Sequence, residues 1–493
     1  MSAISEQAIR PLPQFNTQNL SNTAWAFAPL GVRDEPLLDA IAASSISNIS
    51  ALGERDLAAL AWSVANLPLP NSPLLDAISS EVLRTMNEFA PRSLANISWA
   101  FANLGLGNEP LLTAIAAAAI AKISREAQEM PALPASLNPE ALAKLEDLIT
   151  NLNATVWALN HADQLAEDVD SAVHRLVVML ARRRDHELRE RIRGSPPPAP
   201  PPLPPREVFL DQGADPEAPA SIVLDLPDLC VVHKPPGWEV DCADVGTGIL
   251  LSTYLQQRYS PQEAPLVHYE EHQFGMVHRL DRVSSGLLLV GKTFLGFHSL
   301  GWQLNTGRLE REYMVVAHGH FPPSLRLIDA KVFHLHAEGG RESQVLEQGK
   351  PSQTRVTTLG HYALRDHPDE TFSIVVIQII TGRRHQIRTH LAHVGHPTVA
   401  DGKYMSRERF VRDRQWCSRN FLHRYRLGFQ DVDGTLLEAA ALLPEDLRAA
   451  LAHLVPCGPL SAVALTAWAG AGPPRPWSAY EGLPDSGEGG AEV

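Results

Sequence analysis

Asp281 sits between Arg279 and Arg282 in the stretch HRLDRVSSG, residues 278–286. Neighbouring positive charge lowers a carboxyl pKa, so an acid flanked in this way is held ionised. An ionised carboxylate can act as nucleophile or base but not as proton donor. The stretch lies between two apolar runs, FGMV and LLLV, which places Asp281 on a loop anchored at both ends, where positioned reactive groups are commonly found. A solvated loop could carry the same charges idly, so the surrounding sequence has to decide between the two readings.

The elements that must hold this loop read as strands from about residue 207 to 458. SIVLDLPDLCVVHKPPG forms two strand-like runs around a turn at Pro227 and Asp228. GLLLVGK, REYMVVAHG, TRVTTLGHYAL and TFSIVVIQII are further strand candidates. TGRRHQIRTHLAHVGHP reads as a helix with the stripe Ile387, Leu391 and Val394, stopped by Gly395 and Pro397.

The first third of the chain repeats itself. Trp25, Trp62 and Trp99 recur every 37 residues, and Pro36, Pro73 and Pro110 keep the same interval. Each unit reads as an apolar helix carrying the Trp, a turn, and a second helix opening near its proline, with Asp34 and Asn71 at N-cap positions. A single helical hairpin cannot bury its own apolar face, so the units are expected to stack as an all-α solenoid. The stretch around Trp157 reads as a degenerate fourth unit or a cap. Residues 1–130 hold seven Lys or Arg against twelve Asp or Glu, a balance that weakens an RNA-binding reading of the repeats and leaves a protein-binding or supporting role open.

Ser195 to Pro205, SPPPAPPPLPP, reads as a semi-rigid spacer. A ligand for a proline-binding module is the alternative. The expected organisation is therefore a helical repeat domain over 1–190, a Pro-rich linker over 191–206, a catalytic domain over 207–458 and a disordered tail over 459–493. Four cysteines (Cys230, Cys242, Cys417, Cys457) without CxxC spacing argue against a disulfide framework and a zinc site, and fit a reducing compartment. No apolar run reaches the roughly 20 residues a membrane helix needs. The first residues lack an apolar signal core, so a cytoplasmic or organellar location both stay open. A net charge of −14 argues against indiscriminate nucleic-acid binding by the whole chain.

HRLDRVSSGLLLVGK resembles the signature of the large-subunit-type (RluA-like) pseudouridine synthases. IVLDLPDLCVVHKPPG, EREYMVVAHG, TGRRHQIRTHLAHVGHPTVAD and FLHRYRLGFQDVDGTLLEAAALLPEDL resemble further family segments, in the family's order, over about 220–450. The resemblance implies an α+β domain with a mixed, mostly antiparallel sheet that isomerises uridine in ribosomal or transfer RNA. It implies no redox cofactor or metal, and the chain is read as a monomer with RNA as its partner. It assigns Asp281 as the catalytic carboxylate, Tyr313 as the residue that stacks on the base and assists removal of the carbon 5 proton, and Arg388 as the partner of Asp281. Arg279, Arg282, Lys234, Arg383, His385 and Gln386 are placed around the substrate. The helical repeats resemble the 37-residue heptatricopeptide-type repeats of organellar RNA-associated proteins in period and Trp/Leu pattern.

Residues 383–426 hold eleven Lys or Arg and three acids, which marks Arg383 through Arg414 to Arg426 as a candidate RNA-facing patch, with a solvated charge run as the alternative. The family pattern is departed from at Ser284, Val283, Gly291 and Ala400, the last standing where glycine commonly precedes the aspartate at 401. The crowded histidines invite a metal reading, but His385, His390 and His393 do not share one helix face. The rival to an enzyme is an inactive RNA-binding or scaffolding protein that uses the repeats.

Overall fold

Asp34, Asn71 and Asn108 stand 37 residues apart, and each side chain accepts the backbone N–H three residues on, at 3.1, 3.1 and 3.2 Å. The cap fills one of the donors that the first helical turn leaves orphaned, and the proline that follows removes another. Among the described residues before 193, eight α-helices result: α1 (Thr17–Phe27), α2 (Glu35–Ser47), α3 (Glu54–Asn66), α4 (Ser72–Thr85), α5 (Pro91–Asn103), α6 (Glu109–Gln128), α7 (Pro139–His161) and α8 (Glu167–Ile192). The 37-residue register carries into the core. Leu20, Leu57 and Leu94 are buried, as are Leu37, Leu74 and Leu111, and Ile41, Ile78 and Ile115. Burial of each such side chain contributes about 1.5–3 kcal/mol, and no single hairpin could supply it. The fourth pair of helices joins the stack through Trp157, whose ring lies 6.4 Å from that of Trp99.

The computed structural model describes residues 9, 12–29, 34–67, 71–129, 138–192, 219–240, 249–334, 342–347, 349–470 and 472–480. The chain divides into two compact units, Met1–Glu187 and Leu188–Val493. The polyproline run and Cys242 lie outside the described residues. Among the described residues no helix is long and apolar enough to cross a membrane.

The second unit is built on one large sheet. Its strands are β1 (Ser221–Asp225), β2 (Leu229–Lys234), β3 (Ser285–Gly291), β4 (Glu310–His318), β5 (Leu327–Asp329), β6 (Val332–His334), β7 (Ser343–Val345), β8 (Gln353–Leu364), β9 (His367–Ile379), β10 (Leu422–Gln430), β11 (Leu436–Ala440) and β12 (Leu454–Pro456). Along the sheet the order is β1-β2-β3-β10-β4-β9-β8-β12, with β11 on β10 and β5 on β8, while β6 and β7 form a separate pair. Among these strands every pairing is antiparallel except β3 with β10. The sheet is thus mixed and mostly antiparallel, as the resemblance implies. Alternation sorts β4 cleanly, Tyr313, Val315 and Ala317 joining one core and Met314 and Val316 the other.

The helices α9 (Leu251–Arg258), α10 (Phe294–Asn305), α11 (Gln386–His393), α12 (Arg407–Asp413), α13 (Glu445–Leu451) and α14 (Pro459–Ala469) complete this unit. The segment expected to be a disordered tail requires correction over its first part. Residues 459–469 form α14, and Trp468, Trp477 and Tyr480 are buried. Three aromatic side chains in 13 residues supply apolar area that the Gly- and Pro-rich composition concealed. Residues 481–493 lie outside the described residues.

Candidate active site

Asp281 stands on the loop that leads into β3, in the middle of the sheet. Its backbone carbonyl accepts the Ser284 N–H at 3.0 Å, and β3 then starts at Ser285. The parallel approach of β3 to β10 fixes this point. Gly286 pairs with Arg424 at φ +129°, and an added Cβ would lie 2.3 Å from the Arg424 carbonyl oxygen.

Arg388 comes from α11, 107 residues away, and its Nη1 donates to Asp281 Oδ2 at 2.9 Å. The guanidinium is almost fully enclosed, 4% exposed, while the Asp281 side chain keeps 18% of its surface open. Burial works to raise the Asp281 pKa, but the charges of Arg388 and Arg279 together with the Arg388 hydrogen bond outweigh it, and the pKa lies below the ordinary carboxylate value. His385 Nε2 is 3.9 Å from Asp281 Oδ1, too far for a hydrogen bond. Burial pushes the His385 pKa down to about 4, so the imidazole is neutral at pH 7. His385 holds φ +54°, a strained conformation for a non-glycine residue, and its Nδ1 lies 2.8 Å from the Tyr404 hydroxyl.

Tyr313 on β4 is buried. Its hydroxyl oxygen accepts from Arg424 Nε at 2.8 Å and also from Arg424 Nη2. The other N–H groups of Arg424 reach His278 Nδ1 at 2.6 Å, the Leu287 carbonyl at 3.1 Å and the Arg279 carbonyl at 3.3 Å. One buried guanidinium thus ties Tyr313 to the loop that carries Asp281. Arg419 supports the other side of the loop, pairing with Asp446 at 2.6 Å and donating to Ser285 Oγ at 3.0 Å.

Several expected substrate contacts take other positions. Arg282 turns away from Asp281: its Nε donates to the Gly237 carbonyl at 3.3 Å and its Nη1 lies 3.8 Å from Glu239. Of the two flanking arginines, Arg279 remains exposed and acts on the acid. Lys234 is fully buried and donates to the carbonyls of Pro235, Trp238 and Arg282 at 3.0, 2.9 and 3.4 Å, which uses all three of its donors. Burial lowers its pKa to about 7. Gln386 is equally committed. It accepts from Thr381 Oγ1 and Arg383 N and donates to Gln353 O and Thr354 Oγ1, at 2.8, 2.9, 3.0 and 3.0 Å. Lys234 and Gln386 therefore brace the loops and have no group left for a substrate. Arg383 is half-buried, with Nε donating to the Pro351 carbonyl at 3.3 Å.

The basic run over 383–426 does not form one outward patch. Arg388, Arg419, Arg424 and Arg426 are buried, and Arg426 is enclosed by Glu310, Glu312 and Glu438. A bulge explains the split. The register between β10 and β4 shifts between Arg424 and Arg426, so these residues, two apart on one strand, serve Tyr313 on one face and Glu312 on the other. Arg414 is half-buried, while Lys403, Arg407, Arg409 and Arg412 lie at the surface. Asp401 and Arg424, absent from the expected set, make the closest contacts to Arg388 and Tyr313. Among the described residues no group of three or more His, Cys, Asp or Glu is placed to hold a metal ion.

Residues 228–393 match the profile of RNA pseudouridylate synthases. The chain is 32% identical over 232 residues to ribosomal large subunit pseudouridine synthase C of Haemophilus influenzae, covering 46% of this chain and 66% of the relative. It is 30% identical over 244 residues to the Escherichia coli protein of that name, covering 48% of this chain and 70% of the relative. The chain belongs to the RNA pseudouridylate synthase family. It spans about two thirds of the length of these curated relatives, and 53% of an uncharacterized RNA pseudouridine synthase of Chloroflexus aurantiacus. Among solved structures, human RNA pseudouridylate synthase domain containing 1 aligns with a TM-score of 0.39 at 24% identity, over 54% of this chain and 96% of that one.

The synthase fold encloses His385 and His423 fully and His233 and His278 partly, and holds all four neutral. Burial lowers His233 and His385 to about 4 and pushes His278 and His423 well below the ordinary imidazole value. Below pH 6.5 the unfolded chain binds these protons and the folded one does not, so the stability present above 6.5 is lost as pH falls toward 4. Each histidine costs up to about 1.4 kcal/mol per pH unit in that window. Urea denaturation of the full chain at pH 7 and pH 5 is expected to show a marked drop in midpoint, and equal midpoints would contradict the buried neutral assignment.

Proposed function

We propose that this chain converts uridine to pseudouridine within RNA, with Asp281 as the reacting carboxylate. In that isomerisation the bond from N1 to the ribose breaks, the uracil turns in place, carbon 5 joins the ribose, and the carbon 5 proton is given up while N1 regains one. Electrons balance without an outside oxidant or reductant.

The observation that carries the reading is the Asp281–Arg388 contact at the foot of an open loop: one carboxylate oxygen is held at 2.9 Å and the acid stays ionised while part of its side chain remains accessible. Such a group can attack the sugar or remove a ribose proton. The target base must leave its stack to reach it, at a cost of a few kcal/mol. In this reading exposed Arg279 meets the phosphates of the everted nucleotide, and the base enters beside Tyr313, whose buried ring is held by Arg424. The named relatives act on the ribosomal large subunit, which makes ribosomal RNA the first substrate class to examine and transfer RNA the second.

The test is release of tritium from RNA labelled at uracil carbon 5, with ribosomal and transfer RNA supplied separately. Wild type is expected to release label from one class, and Asp281→Asn from neither while still binding that RNA. Equal release by both proteins would remove Asp281 from the chemistry, and none from either on any RNA would return the function to the repeats as a binding scaffold.

A further inference from the structure

Asp401 follows directly on Ala400, which holds φ +54°, and its carboxylate is fully buried. Four donors converge on it. Arg388 Nε reaches Oδ2 at 2.7 Å and Arg388 Nη2 reaches Oδ1 at 2.6 Å, while Thr398 Oγ1 and the Lys403 N–H donate at 3.2 and 3.0 Å. Arg388 therefore gives its two-pronged edge to Asp401 and a single N–H to Asp281. The guanidinium is also stacked over the Tyr404 ring, 5.1 Å from its centre, which fixes its plane.

A guanidinium prefers to grip a carboxylate with two parallel N–H groups, and that grip sheathes both oxygens. Asp281 escapes it because the preferred edge is already taken. Its Oδ1 faces the neutral His385, at 3.9 Å.

We propose that Asp401 is a positioning residue for catalysis: by occupying the forked edge of Arg388 and offsetting its charge, it limits that arginine to one contact with Asp281 and leaves Oδ1 open to the substrate. This rests on Asp281 being the reacting group. The other titratable groups that act on Asp281 are charged Arg279 and neutral His385, and Lys234 and Lys403 lie within its electrostatic reach. None of them is placed on the forked edge of Arg388.

The experiment uses the full chain with Asp401→Asn and Asp401→Glu, following turnover on the RNA that wild type modifies and the titration of 13C-labelled Asp281, assigned by its loss in Asp281→Asn. Asp401→Asn is expected to lower kcat about 30-fold or more with KM within about twofold. It should also move the Asp281 midpoint down by about one pH unit or more, because one negative charge a few ångströms away has gone. Asp401→Glu retains the charge and is expected to keep kcat within about tenfold of wild type and the midpoint in place. A purely structural role predicts the reverse ranking, the isosteric asparagine being the milder change. An unmoved or raised midpoint in folded Asp401→Asn, or a glutamate variant as slow as the asparagine one, overturns the proposal. If the asparagine variant does not fold, the glutamate variant decides alone. Wild type without turnover would instead refute the reading of function, and the titration would still report on Asp401.

Discussion

Arg388→Met is expected to reduce turnover about 10²- to 10³-fold, the usual cost of losing a preorganised charge at a reacting centre, and to move the acid limb of the pH–rate profile upward. With the cation gone, burial dominates and raises the Asp281 pKa. The sign is opposite to that expected for Asp401→Asn, since one variant removes the positive partner and the other a negative neighbour. Arg388→Met also strands the fully buried Asp401 without its ion-pair partner. Breaking a buried pair costs about 3–5 kcal/mol, so the denaturation midpoint should fall as well. A profile unchanged in shape, with stability intact, would mean that Arg388 does not control the acid.

Gly286→Ala should be among the most damaging small substitutions in the synthase domain. The added methyl would meet Arg424 backbone atoms at 2.3, 2.7 and 2.8 Å, and φ +129° is a conformation side chains rarely adopt. Neither strand can retreat cheaply, because β3 is held by β2 and β10 by β4. Overpacking of this kind costs about 1–3 kcal/mol in ordinary cores, and the backbone strain adds about 1–3 kcal/mol more. Since Arg424 also holds Tyr313, any protein that does fold should lose activity beyond its loss of stability. Gly395→Ala is the control: its φ of +89° is similar in sign, but among the described residues nothing lies within 4 Å, so only strain applies. Thermal melts of the two variants should differ by several degrees. Equal melts would show that β3 and β10 are not packed as described.

Much of the site is legible in the sequence. The reactive loop, Tyr313 and Arg388 lie in contiguous motifs, and the 37-residue register of caps, prolines and leucines follows from local rules that a sequence displays directly. What stays hidden depends on partners far apart in the chain. Charge alone does not tell that Arg282 turns to Gly237, because the choice rests on where the turn after Lys234 folds back. A basic run looks the same whether it faces RNA or closes a core, and only the bulge in β10 separates Arg424 from Arg426. Asp401 has one local sign, a non-glycine residue before it at a position where glycine is common, and its meaning emerges only with Arg388 beside it.

The most direct test is the titration of Asp281 itself in the folded wild-type chain, by carbon NMR of labelled aspartate with Asp281→Asn for assignment. The midpoint is expected below 3.8, the ordinary aspartate value, with the acid ionised throughout the range in which the protein stays folded. A midpoint at or above that value would mean that burial outweighs Arg388, and would contradict the account of how the carboxylate is held ionised.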